Sequence, residues 1–186
     1  ALNPTSGIGK GTVSLEDIHD SELIFVVGQN PGTNHPRMLS ALKECKDKGG
    51  KVVAVNPLPE AGLFNFKDPQ TVSGVVGGGT PLADEYLQIK VGGDLALFQA
   101  LGHLLLAEEA RNPGTVVDRS FVDAQTDGFD AYTDARGELD WAETEKATGL
   151  SREQIETVAG MLIRSKATLF CWALGVTKQP HSVDTI

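Results

Sequence analysis

The chain has 186 residues, 40% hydrophobic and 6% aromatic, enough to bury one core and too few for several. Acidic residues outnumber basic ones by 25 to 16, a net charge of −9, which argues against an extended phosphate-tracking surface and so against nucleic acid as a partner. The longest nearly apolar stretch, 95–107, is interrupted by Gln99, Gly102 and His103 and is too short for a bilayer core of about 30 Å, so no membrane is expected either.

Residues 1–22 read as a lead-in without a strand. Within them Gly7-Ile8-Gly9-Lys10-Gly11-Thr12 superficially matches a phosphate loop. The match fails, because Gly11 follows Lys10 where Ser or Thr is required, and no strand precedes. Leu23-Ile24-Phe25-Val26-Val27 is a continuous apolar run without alternation, which suits a strand buried on both faces. It runs into the turn-rich Gly28-Gln29-Asn30-Pro31-Gly32-Thr33-Asn34. Pro36 then stands where a helix would begin, with Asn34 or His35 as the cap. Met38, Leu39, Ala41, Leu42 and Cys45 follow at helical spacing, closed by Gly49-Gly50. Val52-Val53-Ala54-Val55 predicts a second buried strand, ended by Asn56-Pro57. Strand, helix and strand in so short a span form a βαβ unit, whose right-handed crossover makes the strands parallel.

Residues 58–85 carry Pro59, Pro69, Pro81 and Gly77-Gly78-Gly79 without a sustained period, and read as a long loop of the functional or mobile kind. A third strand is expected over 86–91, ending at Gly92-Gly93-Asp94, and a well-buried helix over 95–111. A short helix should open within 116–122, and 131–146 is charged and weakly helical. Ser151 to Gln154 matches a capping box ahead of Ile155, Val158, Ala159, Leu162 and Ile163, the clearest helical pattern in the chain. Thr168-Leu169-Phe170-Cys171-Trp172 predicts a fourth buried strand, leading into Ala173-Leu174-Gly175-Val176-Thr177-Lys178-Gln179. The expected architecture is a single α/β domain over 1–186, a Rossmann-like open, mainly parallel sheet with helices on both faces.

Cys45 and Cys171, far apart and in apolar surroundings, suggest neither a disulfide nor a cysteine metal site. They fit a reducing, cytoplasmic setting. No Met opens the chain, and Ser182-Val183-Asp184-Thr185-Ile186 reads as the start of another element, so the chain is expected to be part of a longer protein.

In open parallel sheets ligands bind beyond the carboxyl ends of the strands. Four segments qualify: 28–35, 56–59, 92–94 and 173–179. Gly28 to Thr33 lacks the Gly-x-Gly-x-x-Gly spacing and is as well read as a tight turn. Asn56 could both donate to and accept from a base or ribose, yet Asn-Pro is also an ordinary turn. Asp94 either accepts from a guanine edge or caps the long helix, with the cap favoured for an isolated Asp. His35 reads as a cap or a solvated side chain beside Pro36. Lys90, Lys178 and His181 could face phosphate, though a lone Lys is usually solvated. Trp172 reads as core. The acids and histidines form no catalytic set.

Taken together the loops resemble the molybdopterin oxidoreductase family, nearest its formate-dehydrogenase-like alpha subunits. Gly28 to Pro36 matches the family's Gly-x-Asn-Pro-x-x-x-His-Pro. Val55-Asn56-Pro57 matches a strand ending in Asp-Pro, with Asn in place of Asp, and Gly92 to Leu97 matches Gly-x-Asp-x-Ala-Leu. Trp172 to Gln179 matches Gly-x-Gly-x-Thr-Gln, with Lys178 inserted beside the Gln. Asn3-Pro4-Thr5 and Gly9 to Val13 also have counterparts. The resemblance implies a cofactor of two pterin guanine dinucleotides holding molybdenum or tungsten. Gly28, Asn30, Thr33 and His35 would approach pyrophosphate or pterin; Asn56 and Asp94 would read a guanosine; Gly175, Thr177 and Gln179 would close over the pterin side; and Gln29, Pro31, Pro57, Gly92, Gly93, Trp172, Ala173 and Leu174 would line the cofactor with them. The family's metal ligand, and the iron–sulfur cysteines of many members, lie on the N-terminal side of this region. The implied partners are the remaining domains of the parent chain and an electron-transfer partner. By itself the segment is expected to be empty and inactive, because part of a shared site cannot enclose so large a ligand. A different class of reading is a structural domain of this fold that has lost its pterin and serves as a docking module.

Overall fold

The computed structural model describes residues 2–134 and 138–186; Ala1 and 135–137, the latter inside the expected 131–146 element, lie outside the described residues. Its centre is a four-stranded sheet of order β3-β2-β1-β4, with β1 Leu23–Val27, β2 Lys51–Val55, β3 Glu85–Leu87 and β4 Thr168–Trp172. All three pairings are parallel, with Phe25 opposite Val53 on one side and Phe170 on the other. The sheet is therefore wholly parallel within the described residues, rather than mainly so.

Every residue of β1 is buried, and alternate side chains feed two cores. Leu23, Phe25, Val27, Val53, Val55 and Leu87 meet the helices Asp94–Arg111 and Arg152–Arg164 through Leu97, Leu101, Ile155 and Val158. Ile24, Val26, Val52 and Ala54 meet the helix Pro36–Asp47 through Leu39, Leu42 and Cys45. Helices thus cover both faces, which is what unbroken apolar strands require.

The expected strand over 86–91 is only three residues long. After Leu87 the ladder breaks: the Ile89 N–H turns back to the Leu87 carbonyl at 2.9 Å, and the Lys90 N–H donates to the Thr148 carbonyl at 2.7 Å. The 58–85 segment is more ordered than a loop. It holds the short helices Ala61–Phe64 and Val72–Val76 and the antiparallel bridge Phe66↔Thr80, and it buries Leu63 and Leu82 in the second core. The helix expected to open within 116–122 does so at Arg119, as Arg119–Gln125, where the Asp118 side chain accepts the Phe121 N–H and sets its cap. The 131–146 reading resolves into Phe129–Asp134 and Trp141–Thr148, the second capped by Asp140 and closed by Gly149 at φ +75°. The capping box at Ser151 and Gln154 forms as expected. The lead-in contains the short helices Leu2–Ser6 and Leu15–His19. Cys45 is buried and both cysteines are free. Among the described residues no helix is long and apolar enough to cross a membrane.

Candidate functional site

Because the strands are parallel, the segments that follow them emerge at one edge. Neighbouring loops diverge there where the connectivity reverses, and such a point opens a crevice for ligands. Here it lies between β1 and β4. The segment after β1 leads to the Pro36–Asp47 helix on one face, whereas Val176, after β4, joins the core on the other.

The two loops touch through glycine. Gly28 takes φ +58° and its N–H donates to the Val55 carbonyl at 2.8 Å. A Cβ on Gly175 would lie 2.3 Å from the Gly28 carbonyl oxygen, so no larger residue fits without moving backbone. Next along, the Asn30 side chain accepts the Thr33 N–H at 3.1 Å and caps a short helix, Pro31–Asn34, that periodicity did not announce. Pro31 is buried, while Thr33 and His35 are exposed. His35 occupies the N-cap of Pro36–Asp47 without a side-chain cap bond; its Nδ1 lies 3.1 Å from Nε2 of Gln29. Gln29 is 8% exposed, and its Oε1 is buried with no hydrogen-bond partner among the described residues.

The β2 and β3 loops are tied to this one. Asn56 donates through Nδ2 to the Gln29 carbonyl and to Glu60 Oε1, each at 3.3 Å. Gln88 Nε2 donates to the Pro57 carbonyl at 3.1 Å. Gly92 turns the chain at φ +85°, and a Cβ on Gly93 would sit tightly, 3.0 Å from the Ala147 carbonyl oxygen. Gly93 takes the cap position of the long helix, so Asp94 is its first helical residue and not its cap. Asp94 is 5% exposed. Burial pushes its carboxyl above the usual carboxylate range, against a local backbone hydrogen bond that lowers it. Its Oδ2 accepts from Gln179 Nε2 at 3.2 Å, a contact that brings the β3 and β4 loops together over the intervening strands.

On the β4 side Trp172 and Ala173 are half-buried and Leu174 is exposed. The Ala173 carbonyl accepts both the N–H and the hydroxyl of Thr177, each at 3.3 Å. Gln179 Nε2 also donates to the Gly175 carbonyl at 2.9 Å. The basic candidates do not converge with these groups. Lys90 Nζ donates to the Lys146 carbonyl at 2.9 Å, His181 Nδ1 lies 3.5 Å from Asp184 Oδ2, and Lys178 is exposed.

The four post-strand segments therefore gather at one rim, with side-chain amides as the dominant functional group. Amides donate and accept without titrating, which suits recognition of a heterocycle edge. Among the described residues no cluster of three His, Cys, Asp or Glu side chains could hold a metal ion. Sequence reasoning missed Glu60, four residues after its partner Asn56, and Gln88, whose partner Pro57 lies on another segment and leaves no local signature. A cavity of about 1180 Å³ lies elsewhere, at the amino-terminal edge of β4, lined by His103, Glu109, Val116 and Lys166 among others. We place the candidate site at the rim because buried and unsatisfied polar groups converge there. At the amino edge the Glu109 carboxylate, held down at about 2, is already occupied by the N–H groups of Gly114, Val117 and Val116. A second, more apolar cleft of about 730 Å³ opens beside the rim, lined by Val27, Phe98, Phe170, Trp172 and Val176 among others.

No family model matches the chain. Over all of its 186 residues it is 54% identical to an uncharacterized oxidoreductase of Mycobacterium tuberculosis, of which it spans 24%. It is 26% identical, over 185 residues, to formate dehydrogenase H of Escherichia coli, spanning 23% of that protein. Among solved structures acetylene hydratase from Pelobacter acetylenicus shares the fold, with a TM-score of 0.69 and 18% identity over 92% of this chain and 22% of that one. The chain thus spans about a quarter of the length of the curated relatives it matches.

Proposed function

The chain belongs to the molybdopterin oxidoreductases, and from that premise we propose that it binds the pterin guanine dinucleotide of a formate-dehydrogenase-like enzyme holding molybdenum or tungsten. The observation that carries this reading is the gathering of all four post-strand loops at one rim, joined by Gly28 to Gly175, Asn56 to Gln29 and Gln179 to Asp94.

The residues present fit such a guest. The buried, unpartnered Oε1 of Gln29 lacks the N–H donor that a pterin or guanine carries. The Gly28–Gly175 contact leaves the main chain bare of side chains where a large ring system must approach closely. Asp94 offers a buried acceptor facing an amide donor, matched to the N1–H and amino group of guanine. Gln29, Asn30, Thr33 and His35 bind on the pyrophosphate or pterin side, Asn56 and Asp94 hold the guanosine, and Gly175, Thr177 and Gln179 cover the pterin. The bound metal centre supplies the redox chemistry. This chain's residues supply position and exclude water.

The test is metal and pterin analysis of the full-length protein made in a host that synthesises the cofactor. Molybdenum or tungsten together with released guanine supports the reading, and Asp94→Asn should lower the occupancy of both. A metal-free, pterin-free wild-type protein from that host would overturn it in favour of a structural domain.

A further inference from the structure

The contact between Gln179 and Asp94 closes the rim on itself. The two residues are 85 positions apart, on loops that follow the two outer strands of the sheet. Asp94 is 5% exposed, and Gln179 supplies the side-chain donor recorded on its carboxylate. The primary amide of Gln179 offers N–H groups of the kind a guanine edge would present. Its other recorded acceptor is the Gly175 carbonyl at 2.9 Å, so the side chain is anchored at its own loop while it reaches across.

We infer that Gln179 is an exchange residue: its amide holds the Asp94 carboxylate, gives that carboxylate up to an arriving guanine, and stays on the Gly175 carbonyl that it already reaches. This deepens the function proposed above and rests on it. The physical consequence is a competition at Asp94. A base that reaches Asp94 must first displace Gln179, so its binding is weakened by the strength of that bond. The displaced amide keeps its bond to the Gly175 carbonyl. A hydrogen bond to a charged group is worth about 1.5 kcal/mol at the low end, roughly a tenfold change in affinity.

The exchange predicts opposite signs for two measurements on one variant. Full-length protein produced in a host unable to make the cofactor is titrated with GDP by calorimetry, which probes the guanosine end alone. Gln179→Leu should bind GDP roughly tenfold tighter than wild type, and Gln179→Ala should do the same, which controls for the bulk of Leu. In a cofactor-producing host the same variants should carry less pterin than wild type, because the amide is missing from the pterin side. Asp94→Asn should weaken GDP binding in either background. Equal or weaker GDP binding by both Gln179 variants, with dependence on Asp94 retained, overturns the exchange and leaves the proposed function standing. GDP binding that ignores Asp94→Asn, or no GDP binding by any form, overturns the placement of guanosine at Asp94 and the exchange with it. Melting curves of each variant show that the compared proteins are folded.

Discussion

The two edges of the sheet treat polar groups in opposite ways. At the amino edge charges are matched. Asp84 lies 2.6 Å from Lys46 and 3.1 Å from Lys51 and accepts the Val52 N–H, Asp20 pairs with Lys48, and Glu22 accepts the Lys166 N–H. At the carboxyl edge amides predominate, a buried amide oxygen has no partner, and a buried carboxylate has a neutral donor. Asp84 and Asp94 condense the contrast. Burial alone would push Asp84 up, but Lys46, the Val52 N–H and Lys51 together hold it below the usual range. Asp94 has no ion-pair partner among the described residues, and burial leaves it high. One edge is built to hold the fold, and the other keeps polar groups that the fold itself does not fully satisfy, the usual mark of a binding surface.

Four substitutions sharpen or break that comparison. The largest effect is expected from Gly175→Ala, whose Cβ would lie 2.3 Å from the Gly28 carbonyl oxygen. Forcing the β1 and β4 loops apart should cost about 3 kcal/mol, the upper end for overpacking, read as a lowered urea midpoint. An unchanged midpoint would mean that the loops part freely. Asp84→Ala should come next. It leaves Lys46, 17% exposed at its side chain, without its partner, and should cost about 2 kcal/mol, below the fully buried case because the pair is partly wet. Its loss should be visible at neutral pH. As pH falls below the ordinary carboxylate value, about 3.9, the difference from wild type should shrink, because a lowered pKa adds stability only where the carboxylate is ionised.

Ser151→Ala removes the capping box of the Arg152–Arg164 helix and should cost about 1 kcal/mol. GDP binding by the full-length protein should be unaffected, since this cap is structural. Asp94→Asn should move stability least, and in the other direction. A raised folded-state pKa means that the native protein binds more protons than the unfolded chain, so this group's contribution falls as pH rises from the ordinary carboxylate value through the folded one. The variant should therefore gain melting temperature relative to wild type at neutral pH and show little difference near pH 4. A loss at neutral pH would place Asp94 among the groups that hold the fold, and the contrast between the edges would collapse.

Much of this was legible in the residues. β1 and β4 were readable to the residue, because Leu23–Val27 and Thr168–Trp172 are continuous runs bounded by polar or turn-forming neighbours, but only β1 is buried throughout: β4, expected to be buried, stands at the edge of the sheet and is half-buried along its length. The Ser151 helix was equally plain, since its cap and its periodicity agree. The third strand was overestimated. Gln88, Ile89 and Lys90 have strand-like composition, but the Ile89 and Lys90 N–H groups go to Leu87 and Thr148 rather than to β2, and partner choice is invisible to a propensity. The Asp94 alternatives shared one sequence, and only the φ/ψ of Gly93 decided which residue takes the cap.

The sequence by itself determined where the chain leaves each strand and which small or polar residues stand there, because a buried parallel sheet demands apolar runs closed by turns. Only the tertiary structure decided that Gly28 lies against Gly175, that Asn56 reaches the Gln29 carbonyl, and that Gln179 crosses to Asp94. Those contacts depend on strand order and parallel register, which are set by long-range packing of two cores and have no counterpart in any local stretch of residues.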